Sequence, residues 1–465
     1  MLERAKRFSI PIDVDAVVEG RSRLSYDQAL CLYHEASLHD LGRWSSAICT
    51  RLHGDQARTY VIDRNINYTN VCSAHCTFCA FRRDLSDTDA YTLSRQQLHD
   101  KIQELVGIGG TQILMQGGMH PDLPISFYED LLRDIRDAFP SIHIHGFSPP
   151  EFVEFVAVFE LEGFPTTPPG QSHTLPNDLW QAKLEAIMRR LIDAGLDSIP
   201  GGGGEIFAAP VRKRIGLGKA TADQWLEVMA TAHRLGMFTS ATMMFGHIEA
   251  IADRINHMFS IRDAQDRAVE HDWPGRYVSF ISWPFQRENT PLGRLPEWDR
   301  DSGEPFPGEE PNHPDYGKYL RMAGATEYLR TQAISRMVLD NIHSIGSSWV
   351  TMGPKIGQLG LFFGANDMGS VMMEENVVSA AGTTYCLDEA VLCHLIRTAG
   401  FVPAQRNNVY RHLKTHDGLD DPDTSVIDWS AHRIQKLHIE KPDPGEEGMI
   451  GVPLTIGAQK TDPAS

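Results

Sequence analysis

Between residues 94 and 370 the apolar positions switch repeatedly between two rhythms. Stretches with apolar residues every three or four positions predict helices over 94–108, 125–138, 177–194, 222–235, 249–269, 316–339 and near 354–361. Between them, short runs rich in β-branched and aromatic residues predict strands over 111–116, 143–148, 196–200, 238–245, 276–283, 343–350 and 364–370. A helical span over 24–53 and a strand TYVIDRNINYTN over 59–70 precede this series. Strand and helix in alternation imply parallel βα units, and roughly eight of them close a barrel. The expected fold is therefore α/β: a (β/α)8 TIM-type barrel over 56–412, preceded by a helical segment 1–55 and followed by a C-terminal extension 413–465.

Two segments break the rhythm. FPTTPPGQSHTLPN (164–177) carries prolines and turn residues and reads as a surface insertion. LPEWDRDSGEPFPGEEPNHPDYG (295–317) is acidic and proline-rich, either a solvated excursion or a lid. From 413 the chain turns polar, as a loosely packed tail would.

Lys and Arg number 43 against 61 Asp and Glu, a net charge of −18. That balance argues against nucleic acid or an anionic membrane surface as the partner. No run of about 18 apolar residues offers a membrane span, and the start MLERAKRFSIPIDVDA lacks a secretory signal. The expected location is the cytoplasm.

Barrel chemistry sits at the C-terminal ends of strands, and the polar clusters of this chain fall there: QGGMH (116–120), HGFSPPE (145–151), DSIPGGGGE (197–205), FGHIE (245–249) and WPFQRENT (283–290). The most specific motif follows the first strand. Cys72, Cys76 and Cys79 stand as CSAHCTFC, with Phe78 before the third thiol. Three thiolates on one short loop can hold three irons of a [4Fe-4S] cube and leave the fourth iron open, whereas clusters that only carry electrons usually take four cysteines. An open metal position allows chemistry on a ligand, here S-adenosylmethionine. The alternative, a structural zinc site using His75, normally needs a second ligand pair that the sequence lacks. An oxygen-sensitive cluster and an odd count of seven cysteines imply a reducing compartment.

CSAHCTFC, QGG, HIHGFSPPE, SATMMFGHIE, FISWPFQRENTPLG and GANDMGSVMMEENVVSAAG together resemble the radical S-adenosylmethionine enzymes of the futalosine route to menaquinone, nearest those that cyclise dehypoxanthine futalosine. The resemblance runs from about 24 to 412. It implies a [4Fe-4S] cluster on Cys72, Cys76 and Cys79, and cofactor contacts at Phe78, Gln116, Gly117, Gly118 and Glu151. Met119 stands where the wider superfamily has an acidic residue. For Glu151 a plain helix-start carboxylate is an equal reading. The implied reaction abstracts a hydrogen from the substrate's ribose with a 5'-deoxyadenosyl radical, and the carbon radical attacks the benzoate ring; a low-potential donor such as flavodoxin or ferredoxin would reduce the cluster. Alternative activities in the same class are aminofutalosine synthase and an FO synthase-like enzyme.

For the remaining site, His145, His247 and Glu205 are catalytic candidates, and Gln286 and Asn289 substrate-binding ones. Each histidine is otherwise a hydrogen-bonded core residue and Glu205 a helix-terminal carboxylate. The quartet Gly201–Gly204 lacks the Lys-Ser/Thr of a phosphate loop and reads as a tight turn bordering substrate. Below the strand ends the barrel interior is expected to be apolar.

Overall fold

In the computed structural model, which describes residues 8–54, 56–216, 220–383 and 385–418, the sheet contains β1 (Ala57–Val61), β2 (Asp63–Ile66), β3 (Gln112–Met115), β4 (His143–Gly146), β5 (Ser198–Ile199), β6 (Phe238–Phe245), β7 (Tyr277–Pro284), β8 (Ser344–Gly346), β9 (Asp367–Ser370), β10 (Val402–Arg406) and β11 (His412–Thr415). β2 to β9 pair in sequence, each parallel to the next. β1 pairs with β9, and only Ile62 separates it from β2, so the stretch 57–66 brings the two ends of the curled sheet together. This is the expected TIM-type barrel, with helices packed around it. β10 lies parallel on the other edge of β1, and β11 runs antiparallel to β10.

Most anticipated helices appear within a few residues of their limits. The span 24–53 is instead two helices, Tyr26–Glu35 and Leu38–His53, because Ser25 and Ser37 each cap a new start. The helix expected from 316 begins at Ala325, after Gly324. The strand expected over 343–350 stops at Gly346, and Trp349–Met352 is helical. Among the helices that the periodicity did not lay out are Pro149–Val158 and Ala209–Ile215. Both begin with proline at the first or second position, where a missing N–H costs nothing.

The two insertions lie mostly at the surface and are anchored to the body at a few points. In 164–177, Ser172 is buried, Thr167 donates its N–H to the Ala157 carbonyl, and the Lys183 ammonium reaches the Pro165 carbonyl. In 295–317, Phe306, Pro307 and Gly308 are buried, and Glu309 pairs with Arg321 at 2.6 Å. The expected tail lies, from residue 419, outside the described residues. No helix among the described residues is long and apolar enough to cross a membrane.

The interior below the strand ends is not apolar. Ser279 of β7 meets Tyr410, while its neighbour Phe280 packs on His257 of the outer helix Ile251–Glu270. Positions 279, 281 and 283 therefore face inward. By the same alternation Asp63 and Asn65 of β2 face inward, whereas Arg64 reaches Glu104 on the outer helix Arg95–Gly107. Arg406 at the end of β10 crosses this interior to a bidentate pair with Asp367, at 2.7 and 3.0 Å. Gln112 donates to Asp63, and Asn408 donates to Ser198. The turn after β10 thus plugs the barrel with polar groups, most of them paired with one another.

Burial also fixes how the fold responds to acid. It holds the imidazoles of His53, His233 and His257 down to about 3. The unfolded chain takes up these protons near pH 6.5 and the folded chain does not, so stability present above that pH is lost as pH falls towards 3. Each histidine costs about 1.4 kcal/mol per pH unit over that window. The apo chain's melting temperature should fall steeply below pH 6; a flat profile between pH 6.5 and 4.5 would contradict this.

Candidate functional site

The cysteine loop leaves β2 and is held on every side. Backbone bonds run from Cys72 N–H to the Arg83 carbonyl (3.0 Å), from Ser73 N–H to the Met119 carbonyl (2.8 Å) and from Thr77 N–H to the Ile215 carbonyl (2.8 Å). The Leu292 N–H donates to the Thr77 carbonyl (2.7 Å), tying in the loop after β7. Cys76 is buried and Cys72 and Cys79 half-buried; none is in a disulfide. Ala74, Cys76 and Met119 form a small apolar cluster against Cys72, Phe78 and Cys79.

The strand end after β3 packs directly on this loop. A Cβ on Gly118 would lie 2.0 Å from the Val71 carbonyl oxygen and 2.8 Å from the Cys72 Cβ, and one on Gly117 would enter the Tyr68 ring. Close approach, not a left-handed φ, is what these glycines provide. A Cβ on Gly202 would sit 2.3 Å from the Gln116 Nε2, so the glycine turn after β5 lies against the same strand end.

Glu151 is buried at the third position of the helix Pro149–Val158. Its Oε1 accepts from the Tyr68 hydroxyl (2.7 Å) and the Gly117 N–H (3.1 Å), and its Oε2 accepts from the Ser148 N–H (2.7 Å) and Oγ (2.8 Å). Burial pushes its carboxyl up to about 7 against the pull of these donors. Both readings of this residue thus have a place in the geometry: it caps its helix and grips the strand end.

Glu205 is buried with φ of 36°, its Oε2 3.8 Å from Arg212 Nη1. Arg212 in turn donates to the carbonyls of Gly203 and Gly204, both at 2.8 Å. His145 lies lower in the barrel. Its Nδ1 is 2.6 Å from Ser198 Oγ, and burial, with the charge of His143 and Arg406, holds its pKa well below the ordinary value, so the ring is neutral.

Two candidates lie away from this group. His247 has no exposed surface; its Nδ1 is 3.0 Å from Glu249, and its carbonyl accepts from the Arg321 N–H. At the end of β6 it is enclosed and offers no open surface. Asn289 is exposed at the rim with φ of 57° and donates to the Ala380 carbonyl (2.9 Å). Gln286 is half-buried at the end of β7, its amide turned to the Pro284 carbonyl (3.1 Å).

Sequence reasoning missed other inward residues at the mouth. Asn67 donates to the Gln116 carbonyl (3.1 Å), Thr242 to the Gly201 carbonyl (2.5 Å), and Trp283 stands half-buried at the end of β7. Asn65 donates to Glu375 (2.9 Å), which anchors the stretch after β9. The signal available was DRNIN itself, a predicted strand in which four of five residues are polar.

A cluster fits these residues. The three thiols share one loop held at several points, beside a strand end whose glycines let backbone pack directly on that loop. Among the described residues no group of three His, Cys, Asp or Glu converges on a single ion, and thiolates that bind separate corners of a cube are not required to.

Comparison with known proteins agrees with this geometry. Residues 66–261 match the radical SAM superfamily model, and residues 317–418 match the CofH/MqnC C-terminal region. Cyclic dehypoxanthine futalosine synthase of Halalkalibacterium halodurans is 38% identical over 419 residues, 90% of this chain and 99% of that protein. The Streptomyces coelicolor enzyme of the same name is 37% identical, over 87% of this chain and 89% of its own. A 5-amino-6-(D-ribitylamino)uracil–L-tyrosine 4-hydroxyphenyl transferase of Methanopyrus kandleri is 36% identical over 77% of this chain and 85% of its own. The crystal structure of methylornithine synthase shares the fold, with a TM-score of 0.56 at 15% identity over 84% of this chain and 97% of that one.

Proposed function

This chain belongs to the radical S-adenosylmethionine superfamily and, within it, to the cyclic dehypoxanthine futalosine synthase family, and from that premise we propose how its own residues carry the reaction. The enzyme converts dehypoxanthine futalosine to its cyclic form in menaquinone biosynthesis, using a [4Fe-4S] cluster and S-adenosylmethionine. When bound, the cluster and S-adenosylmethionine supply a 5'-deoxyadenosyl radical that takes a hydrogen from the substrate's ribose, opening the way to attack on the benzoate ring.

Cys72, Cys76 and Cys79 hold the cluster. Gln116, Gly117 and Gly118 would present backbone to the cofactor, and Glu151 fixes that backbone by accepting from the Gly117 N–H. Phe78 packs among the thiols. The observation that carries this reading is the contact of Gly118 with Val71 and Cys72, which sets cofactor strand and cysteine loop side by side at the barrel mouth.

The substrate lies across the mouth, among Asn67, Thr242, Trp283 and Gln286, with Glu205 beside the glycine turn. These groups would hold the ribose hydroxyls and carboxylate and orient the ribose, and enclosure would exclude competing hydrogen donors. Restoring the ring requires the loss of one electron and one proton, and a base near the ring takes the proton. A low-potential carrier such as flavodoxin or ferredoxin supplies the electron, in the cytoplasm.

Trp283→Ala and Gln286→Ala test the substrate's place. Cyclisation should fall about 10²-fold, the scale of a misplaced reactant, while 5'-deoxyadenosine formation continues. Parallel loss of both would assign these residues to the cofactor or the fold, and unchanged cyclisation would move the substrate elsewhere.

A further inference from the structure

The helix Pro149–Val158 buries a second carboxylate that the reaction does not use. Glu154, one turn after Glu151, is 1% exposed. Its Oε1 accepts from the Ser73 hydroxyl at 2.7 Å, and its Oε2 from the Gly170 N–H at 2.8 Å. Ser73 directly follows Cys72 within the cysteine loop, and Gly170 belongs to the proline-rich insertion 164–177. One carboxylate therefore joins the loop that carries the thiols to a segment almost a hundred residues further along the chain.

Burying a carboxylate costs free energy unless its oxygens are hydrogen-bonded. Here each oxygen has one donor, and each donor is on a different loop. The two glutamates occupy one face of the same helix, at i and i+3. Glu151 grips the strand end at Gly117, and Glu154 grips the cysteine loop at Ser73. The helix itself is firmly seated, with Phe152, Phe155 and Val156 fully packed in the core, so it is a fixed support for both.

We infer that Glu154 is a positioning residue for the cysteine loop, and that the insertion 164–177 serves as the second anchor of its carboxylate, setting the loop for the cluster before the cluster arrives. Its effect is exerted through Ser73 on the placement of Cys72 and Cys76. The role of the loop as cluster holder underlies only the loaded-enzyme part of the test; preordering of the loop is read on the apo chain.

The test compares Glu154→Ala, Glu154→Gln, Ser73→Ala and a chain with 166–175 replaced by a short glycine-serine link. In the apo chain, amide exchange over 72–80 should rise about tenfold in Glu154→Ala and Ser73→Ala, as expected for one lost charge-assisted hydrogen bond. Exchange within β6 and β7 should stay unchanged. Glu154→Gln keeps one acceptor and should be intermediate, and the trimmed chain should resemble it. After anaerobic reconstitution with iron and sulfide, Glu154→Ala and Ser73→Ala should bind less iron and give a broadened electron-paramagnetic-resonance signal when reduced. If the alanine variant of Glu154 does not fold, Ser73→Ala decides alone. Unchanged exchange over 72–80 in Ser73→Ala, with full iron loading, would overturn the inference. Normal exchange with lowered iron in every variant would instead refute the cluster reading of the loop's order and leave Glu154 without this role.

Discussion

Cys76→Ala should abolish the cluster, and with it every turn of S-adenosylmethionine cleavage, while the barrel stays folded. Cys76 is the most buried of the three thiols and packs on Ala74 and Met119 beneath Phe78. Two thiolates remain in the variant, fewer than a site-differentiated cube requires from the protein. The substitution removes one sulfur from a small satellite cluster rather than from the main core, so its cost in stability should be about 1 kcal/mol. Iron and sulfide content after anaerobic reconstitution, with circular dichroism as the check on folding, reads both parts. A variant that keeps a full, active cluster would refute the assignment of the ligands.

Arg406→Ala should destabilise the apo chain by about 3–5 kcal/mol, the range for removing one partner of a buried pair. Its guanidinium holds both oxygens of Asp367 and covers the Tyr410 ring at 3.9 Å. Asp63 is close by, its carboxyl raised chiefly by burial and further by Asp367, with Arg406 among the groups that oppose this. Without the arginine two carboxylates share the barrel floor with no cation. The double variant Arg406→Met, Asp367→Asn should recover part of the loss, because it leaves less charge unpaired. Urea midpoints of the apo chains measure this; an unchanged midpoint for Arg406→Ala would mean that the C-terminal plug does not stabilise the barrel.

The repeated change of period from helix to strand carried the barrel in plain view, because each βα unit is a local pattern. The cysteine loop was equally legible, its spacing being its chemistry. What escaped was what depends on facing. DRNIN was read as a strand, yet its alternation also says that Asp63 and Asn65 share one face, and that face is the barrel interior. SPPEFVEF entered only as a strand-end cluster with a helix start at Glu151 as one of two readings, although proline suits the first turn of a helix, and the brace formed by Glu151 and Glu154 depends on the full helix. β10 could not be placed from periodicity, since its partner β1 lies some 345 residues earlier by the register of Ala57 with Val402.

The central claim is met most directly by anaerobic incubation of the reconstituted chain with S-adenosylmethionine, a reductant and dehypoxanthine futalosine alone, read by mass spectrometry. The expected result is a product lighter than the substrate by the hydrogen abstracted and the proton lost, formed together with a matching amount of 5'-deoxyadenosine. Release of 5'-deoxyadenosine with dehypoxanthine futalosine unchanged, or a new product only when a second organic substrate is added, would contradict it.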